Sequence, residues 1–437
     1  MNEDSEMSDN NTTSNGTDDL VAYRETMREW LAANLPRREA SSALRAEGDI
    51  SPERLAADRA MQRKVYDAGY IGIMIPKEYG GRGLTPAHQQ IWSEESRGYA
   101  VPMPGGIASG VTMGIVAPTL LTHGGEEQKR DWIPKILRGE ELWVQLLSEP
   151  GAGSDLAGVL TRATRDGDTW VITGTKVWSS GAMAADYGIC LARTDWDLPK
   201  HRGLTWFKVP LNHERVEVRP IKEINGSAEF CEEFLDELVV GDDMRIGDLN
   251  DGWTVANTML AFERGGGGAD HGAPSAPKGR RRLAPDLVEL AQQRGITGEG
   301  RIRQLIAQAH IDDYMQEQLT RRVMTAMRKK LTNPTAASYI KLARGVLEPL
   351  RVEAATEIAG TRGIAWHAGD EAGHTAATNY LNGRIYSIAG GSNQIQRNII
   401  SERLLGLPRE PGFDTDKSFR EVLDAAKNWG VKGQPKT

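Results

Sequence analysis

Apolar residues repeat with two different periods in this 437-residue chain, and the period changes twice along it. Up to about residue 140 the apolar positions recur at helical spacing, as in Leu20, Tyr23, Met27, Trp30 and Leu31, which lines one face of a helix. From 141 the runs become short and alternating, as in Thr169-Trp170-Val171-Ile172-Thr173 and Arg215-Val216-Glu217-Val218-Arg219, with Gly and Asp turns between them. After Asn250-Asp251-Gly252-Trp253 the helical period returns, through 305–331, 338–358 and 392–405. The order predicts a mixed α and β chain: a helical domain over 20–140, a β domain over 141–245 and a helical bundle over 246–410, with a disordered tail at 1–19 and a second tail at 411–437.

One stretch breaks the bundle. Residues 265–285 carry four consecutive glycines, then Pro274, Pro277 and Lys278-Gly279-Arg280-Arg281-Arg282. A flexible, solvated insertion is the first reading, and a basic loop that cradles phosphate is the alternative.

Composition narrows the partners. The net charge of -7 and scattered cations leave no nucleic-acid footprint, and no apolar run approaches the ~20 residues of a membrane span. Cys190 and Cys231 stand alone, without the spacing of a disulfide framework or a zinc site. The first nineteen residues contain no basic side chain, which a signal or transit peptide would need, so a cytoplasmic location is expected.

Two stretches in the β region carry chemistry. Leu147-Ser148-Glu149-Pro150-Gly151-Ala152-Gly153-Ser154-Asp155 reads as a Gly-rich turn that exposes backbone N–H groups and two hydroxyls, suited to an anion or a polar ring edge and equally to an ordinary turn. In Gly174-Thr175-Lys176-Val177-Trp178-Ser179-Ser180-Gly181, Trp178 and Ser180 lie two residues apart on one side of an extended strand, where an indole can stack on a ring and a hydroxyl can bond its edge.

Together these stretches resemble the acyl-CoA dehydrogenase family. Further matches are Ala117-Pro118-Thr119-Leu120-Leu121-Thr122-His123-Gly124, Gly360-Thr361-Arg362-Gly363 and the run from Ile385 to Arg397, so the resemblance extends from about 20 to 410. It implies an α-helical N-terminal domain, a central β-barrel and a C-terminal four-helix bundle, assembled as a homotetramer or heterotetramer with FAD at subunit contacts. Carried over position by position, Leu147 and Ser148 meet the flavin pyrimidine, Ser154 the pyrophosphate, Trp178 the ring and Ser180 the N5 edge. Gly360, Gly363, Ser392 and Gln394 border the cofactor, and Arg294 is a phosphate contact. The substrate is an acyl-CoA, and the electrons pass to an electron-transfer flavoprotein or a similar acceptor.

The reaction removes an α-proton from a thioester while a hydride leaves the β-carbon for flavin N5, so a carboxylate must stand in a desolvated site. Many members of the family carry a glutamate just before the Gly-Ser step of the late loop. Here that residue is Gly390. Members resembling isovaleryl- and long-chain acyl-CoA dehydrogenases carry it on the first long helix of the bundle, and here Glu263-Arg264 occupies that place. Trp253, Ala256, Leu260 and Glu263 follow steps of three, four and three, which puts Glu263 on a largely apolar face. The resemblance implies that the backbone N–H kept at Gly390 bonds the thioester oxygen; the glycine also leaves room for a branched or bulky acyl group, and Arg264 can steady substrate or loop. Two alternatives stay open. The segment from Ala291 to Gly298 lacks the Gln-Phe-Gly step of the family, which fits a half-site or non-catalytic subunit of a mixed tetramer. The same fold also serves flavin oxidases and monooxygenases.

Overall fold

The structure is a computed structural model that describes residues 10–38, 51–264, 284–367, 369–409, 411–412 and 414–427. The chain opens with α1 (Asn10–Asn34), α2 (Pro52–Asp67) and α3 (Pro86–Glu95), then α4 (Ile107–Val111), α5 (Ala117–His123) and α6 (Glu126–Leu137). Met27 and Leu31 of α1 are fully buried against Val65 of α2, Tyr70 and Ile91 of α3, with Leu20, Tyr23 and Trp30 packed around them. This is the face that the spacing predicts. Between α4 and α5 the helix widens to a π turn over Thr112–Val116, just ahead of Pro118, which has no N–H for the helical ladder.

Strands β1 (Trp143–Leu146), β2 (Arg162–Asp166), β3 (Thr169–Ser180), β4 (Tyr187–Arg193), β5 (Leu204–Pro210), β6 (Val216–Pro220), β7 (Phe230–Gly241) and β8 (Arg245–Ile246) follow. They form one sheet in the order β6-β7-β3-β2-β4-β5-β8, with β1 parallel to β4. The bundle consists of α7 (Gly252–Glu263), α8 (Pro285–Gln293), α9 (Gly300–Arg328), α10 (Ala337–Ala359), α11 (Glu371–Asn382) and α12 (Asn393–Arg403). Leu287 and Leu290 of α8, Ile302 and Ile306 of α9, Ile358 of α10 and Ala376 of α11 share its core.

A second core crosses from helices to sheet and back. Trp132 and Ile133 of α6, Trp143 of β1, Trp206 of β5, and Val255 and Met259 of α7 are buried together. Each such side chain contributes roughly 1.5–3 kcal/mol of burial, so α7 is locked in azimuth and in height. The residue that follows its buried face is Glu263.

Two expectations need correction. Helix α1 begins at Asn10, inside the stretch expected as a disordered tail, because a helix already nucleated by the packed turns after Leu20 adds one hydrogen bond per further residue; residues 1–9 lie outside the described residues. The C-terminal segment is not a loose tail either. It carries α13 (Phe419–Lys427), whose first turn hydrogen-bonds the β domain through Phe419 N to Leu198 O and Arg420 N to Trp196 O. Phe419 closes over the guanidinium of Arg193, 3.8 Å from the ring centroid. Arg193 is fully buried, held by the carbonyls of Ala157 and Lys200 at 2.5 and 3.1 Å, and burial lowers its pKa to about 10. The insertion expected over 265–285 lies outside the described residues up to 283, and Pro285 already begins α8. Among the described residues, no helix is long and apolar enough to cross a membrane.

Phe419→Ala is expected to cost roughly 3 kcal/mol, the lower end for a buried aromatic, measured by urea unfolding. It should also raise hydrogen exchange across Phe419–Lys427 and not across α1.

Candidate active site

The two stretches singled out in the β region are one structure. Val177 N donates to Ser148 O at 2.9 Å, and Lys176 Nζ donates to Leu147 O at 3.1 Å and to Glu149 Oε1 at 2.9 Å. Glu149 also accepts from the N–H groups of Leu160 and Thr161 at 2.6 and 2.9 Å. Burial raises the carboxyl of Glu149, but the Lys176 charge and these hydrogen bonds outweigh it and hold the group below its ordinary range. Lys176 is fully buried, and its ammonium donates its hydrogen bonds to this turn.

Above that pair lies a face of unused groups. Trp178 stands in the left-handed region at φ 67° and projects its indole 57% exposed, edge-on to Phe230 at 5.9 Å. Leu147, Ser148 and Ser180 are half-buried, and Ser154 is exposed at the end of the turn. No described residue hydrogen-bonds the hydroxyls of Ser148, Ser154 or Ser180, and open space surrounds the positions where Gly151 and Gly153 would carry a Cβ. An exposed indole beside free hydroxyls fits an aromatic ring system with a polar edge.

Glu263 ends α7 in phase with the buried Gly252, Ala256 and Met259. It is packed from several sides, with Gln145 of β1, Arg264 and Lys341 of α10 around its carboxyl. Burial raises the carboxyl and is only partly offset by the neighbouring Arg264, the Gln145 amide and Lys341. Gly390 lies against it. A Cβ built at Gly390 would stand 3.3 Å from Glu263 Oε1 and 3.2 Å from Lys341 Cε, at a φ of +67°. The carboxyl from α7 therefore borders the space that a side chain at 390 would enter. Arg264 Nε reaches Gly390 O at 3.5 Å, and Gln396, fully buried on α12, donates to the same oxygen at 2.9 Å.

The loop that carries Gly390 is fastened to the start of α10. Lys341 Nζ donates to Tyr386 O at 2.7 Å, and Ser387 Oγ and Asn393 Nδ2 donate to Gly345 O at 2.7 and 3.0 Å. Gly345 permits this approach, since a Cβ there would lie 2.7 Å from Tyr386 O. The Ser392 hydroxyl is engaged within the fold, where it caps α12 by accepting from Ile395 N at 3.3 Å. Gln394 is exposed two residues on.

Arg294, Gly360 and Gly363 form a separate group. Arg294 Nη1 donates to Ile358 O at 2.6 Å, and the guanidinium lies over Gly360, where a Cβ would come within 2.8 Å of it. Gly363 is buried just beyond. Lys341 and Gly360 lie at opposite ends of α10, about 28 Å apart at 1.5 Å per residue. The candidate residues thus fall into a β face, a Glu263–Gly390 pocket and a distant Arg294–Gly360 group. Gln145, Lys341 and Gln396 join the site without any signal in the sequence motifs. Gln145 comes closest to one, since it sits only two residues before Leu147, just outside the Gly-rich stretch.

The helical, sheet and helical order, with the half-buried Glu263 closing the first bundle helix beside a Gly-Gly-Ser loop, is the architecture of an acyl-CoA dehydrogenase. The matches agree along the length of the chain: residues 17–140 match the acyl-CoA dehydrogenase N-terminal domain, 145–237 the middle domain and 250–405 the C-terminal domain. The chain is 36% identical over 394 residues to the acyl-CoA dehydrogenase IpdE1 of Mycobacterium tuberculosis, covering 90% of this chain and 99% of that one. It is 35% identical to IpdE1 of Mycolicibacterium smegmatis over 90% of this chain and 99% of the relative. The solved Tcur3481-Tcur3483 steroid ACAD superposes with a TM-score of 0.71 at 29% identity, covering 90% of this chain and 98% of that one. This chain belongs to the acyl-CoA dehydrogenase family, and it is an enzyme of that type.

Lys176→Met leaves the Glu149 carboxylate buried without its counter-charge. A loss of about 3–5 kcal/mol is expected, read as a lower urea midpoint, and Lys176→Met combined with Glu149→Gln should recover part of it.

Proposed function

We propose that the chain oxidises the Cα–Cβ bond of an acyl-CoA thioester to the 2-enoyl-CoA, with Glu263 as the base that takes the α-proton. The observation that carries this reading is the meeting of Glu263 Oε1 with the vacant side-chain position of Gly390. Burial makes the carboxyl a stronger base than an exposed glutamate, and a base whose pKa approaches the working pH is better matched to a weakly acidic proton. The Gly390 N–H lies on the same loop as a donor for the thioester oxygen, which would draw off the negative charge that develops there. Arg264 and Gln396 hold that loop by its carbonyl.

FAD is the cofactor that fits the β face, and when bound it supplies the acceptor for the electron pair and hydrogen leaving the β-carbon. Trp178 would cover its ring, Ser180 and Ser148 would bond its polar edges, Leu147 would border the pyrimidine and Ser154 would face the pyrophosphate. An electron-transfer flavoprotein or similar protein is the proposed acceptor from the enzyme. A bulky acyl group, of the kind a steroid side chain provides, is the proposed substrate class, supported by the missing side chain at Gly390 and by the relative solved as a steroid ACAD.

The distance along α10 favours a site shared between chains. Arg294 and Gly360 lie about 28 Å from the base pocket by helix rise, and we read them as serving the cofactor of a neighbouring subunit. Relatives such as Tcur3481-Tcur3483 are solved as pairs of different chains, so a mixed tetramer with fewer FAD than chains is the second reading. Protein expressed alone that carries one FAD per chain would rule out that second reading.

Glu263→Gln should retain FAD and lose anaerobic bleaching by acyl-CoA esters, including steroid side-chain esters; undiminished bleaching would remove Glu263 from the role of base. The pH dependence has a definite sign. The base works ionised and its folded pKa is raised, so kcat should fall with acid at a pH above the ordinary glutamate value of about 4.3. An acid limb at or below that value would contradict the burial argument.

A further inference from the structure

Strand β3 presents Trp178 through an irregularity that has its own support. Against β7, Lys176 pairs with Glu233 and Val177 with Glu232, but the next pair is Ser179 with Cys231, so Trp178 is an extra, bulged residue. Its left-handed backbone is one that side chains other than glycine seldom adopt. Without the bulge, Lys176 and Ser179 would point to opposite faces of the sheet, since side chains alternate along a strand. With it, both turn inward, Ser179 to hydrogen-bond Glu233 and Lys176 to stand near it as a charge.

Glu233 is fully buried on β7 and accepts from Ser179 Oγ at 2.9 Å through Oε2. Among the described residues its other oxygen has no hydrogen-bond partner, and the reaction derived above makes no use of it. Charged and titratable groups around it are Lys176 on β3, already paired with Glu149, Glu232 and Cys231 on its own strand, and Cys190 on β4. Neither thiol competes as a charge, because burial raises Cys190 to about 12 and Cys231 to about 11. A half-satisfied carboxyl in a sheet interior is unfavourable unless it fixes something.

We propose that Glu233 and Ser179 are positioning residues, whose hydrogen bond locks the bulge that presents Trp178 and Ser180 to the cofactor. This rests on the flavin reading of that face. The lock is strongest when Glu233 is ionised, because a carboxylate is the better acceptor for the Ser179 hydroxyl. Burial, opposed by Ser179 and Lys176, brings the Glu233 carboxyl up to about 7, so the lock loosens as pH falls through neutrality.

The test measures FAD affinity and the visible flavin spectrum of the full-length protein from pH 6 to pH 8.5. Wild type should bind FAD several-fold more tightly at the upper end, with a midpoint near 7 and a spectral change over the same range. Glu233→Gln and Ser179→Ala should lose both dependences and stay at the weak end, while Ser179→Thr, which keeps the hydroxyl, should restore them. A Glu233→Gln protein with the wild-type pH profile and spectrum overturns the proposal and leaves the flavin reading intact. Wild-type protein that binds no FAD at any pH overturns the flavin reading, and this inference with it.

Discussion

The buried Lys176–Glu149 ion pair is the constraint on which the face carrying Trp178 depends. Removing two charges from water is costly, and the cost is offset only if every remaining donor and acceptor finds a partner. Here the ammonium bonds Glu149 and the Leu147 carbonyl, and the carboxylate collects two backbone N–H groups. The pair therefore fixes the path of the Gly-rich turn against β3, though its members are 27 residues apart in the chain. Ser148 is brought against the strand that carries Trp178 and Ser180 because a buried charge must be answered.

The carboxyl of Glu263 is placed by a different force. Glu263 owes its place to the apolar core that α7 shares with Trp143, Trp206 and the α6 helix. Apolar packing sets the rotation of the helix, and the rotation carries the last turn toward the late loop. Gly390 and Glu263 are then complementary: the absence of a side chain on the loop is what leaves space for the carboxyl delivered by the helix. The same packing that aims the carboxyl also dries it, and drying is what makes it basic.

These two supports are unlike the tie at the far end of α10, where Arg294 lies on the Gly360 backbone and bonds Ile358. One rigid helix separates that tie from Glu263 and Gly390.

Much of this is legible in the order of residues. The two changes of hydrophobic period announce helices, sheet and bundle, because burial on one face imposes a period of 3.6 or 2 whatever the partner is. Phase alone puts Glu263 with the buried side of its helix, and Gly390 is visibly a position without a carboxylate. Other features are not legible, because they depend on contacts between residues far apart in sequence. Nothing local distinguishes Lys176 from a surface lysine, Gln145 from an ordinary strand residue, or Glu233 from an exposed strand glutamate. Phe419 reads as part of a tail until Arg193 is seen beneath it. The helix before Leu20 goes unannounced because its polar residues have no apolar face and inherit helicity from the packed turns that follow. Periodicity and chemistry along the chain determined the architecture and nominated the base; only the tertiary structure decided which charges are buried, because desolvation and pairing are properties of the assembled surroundings.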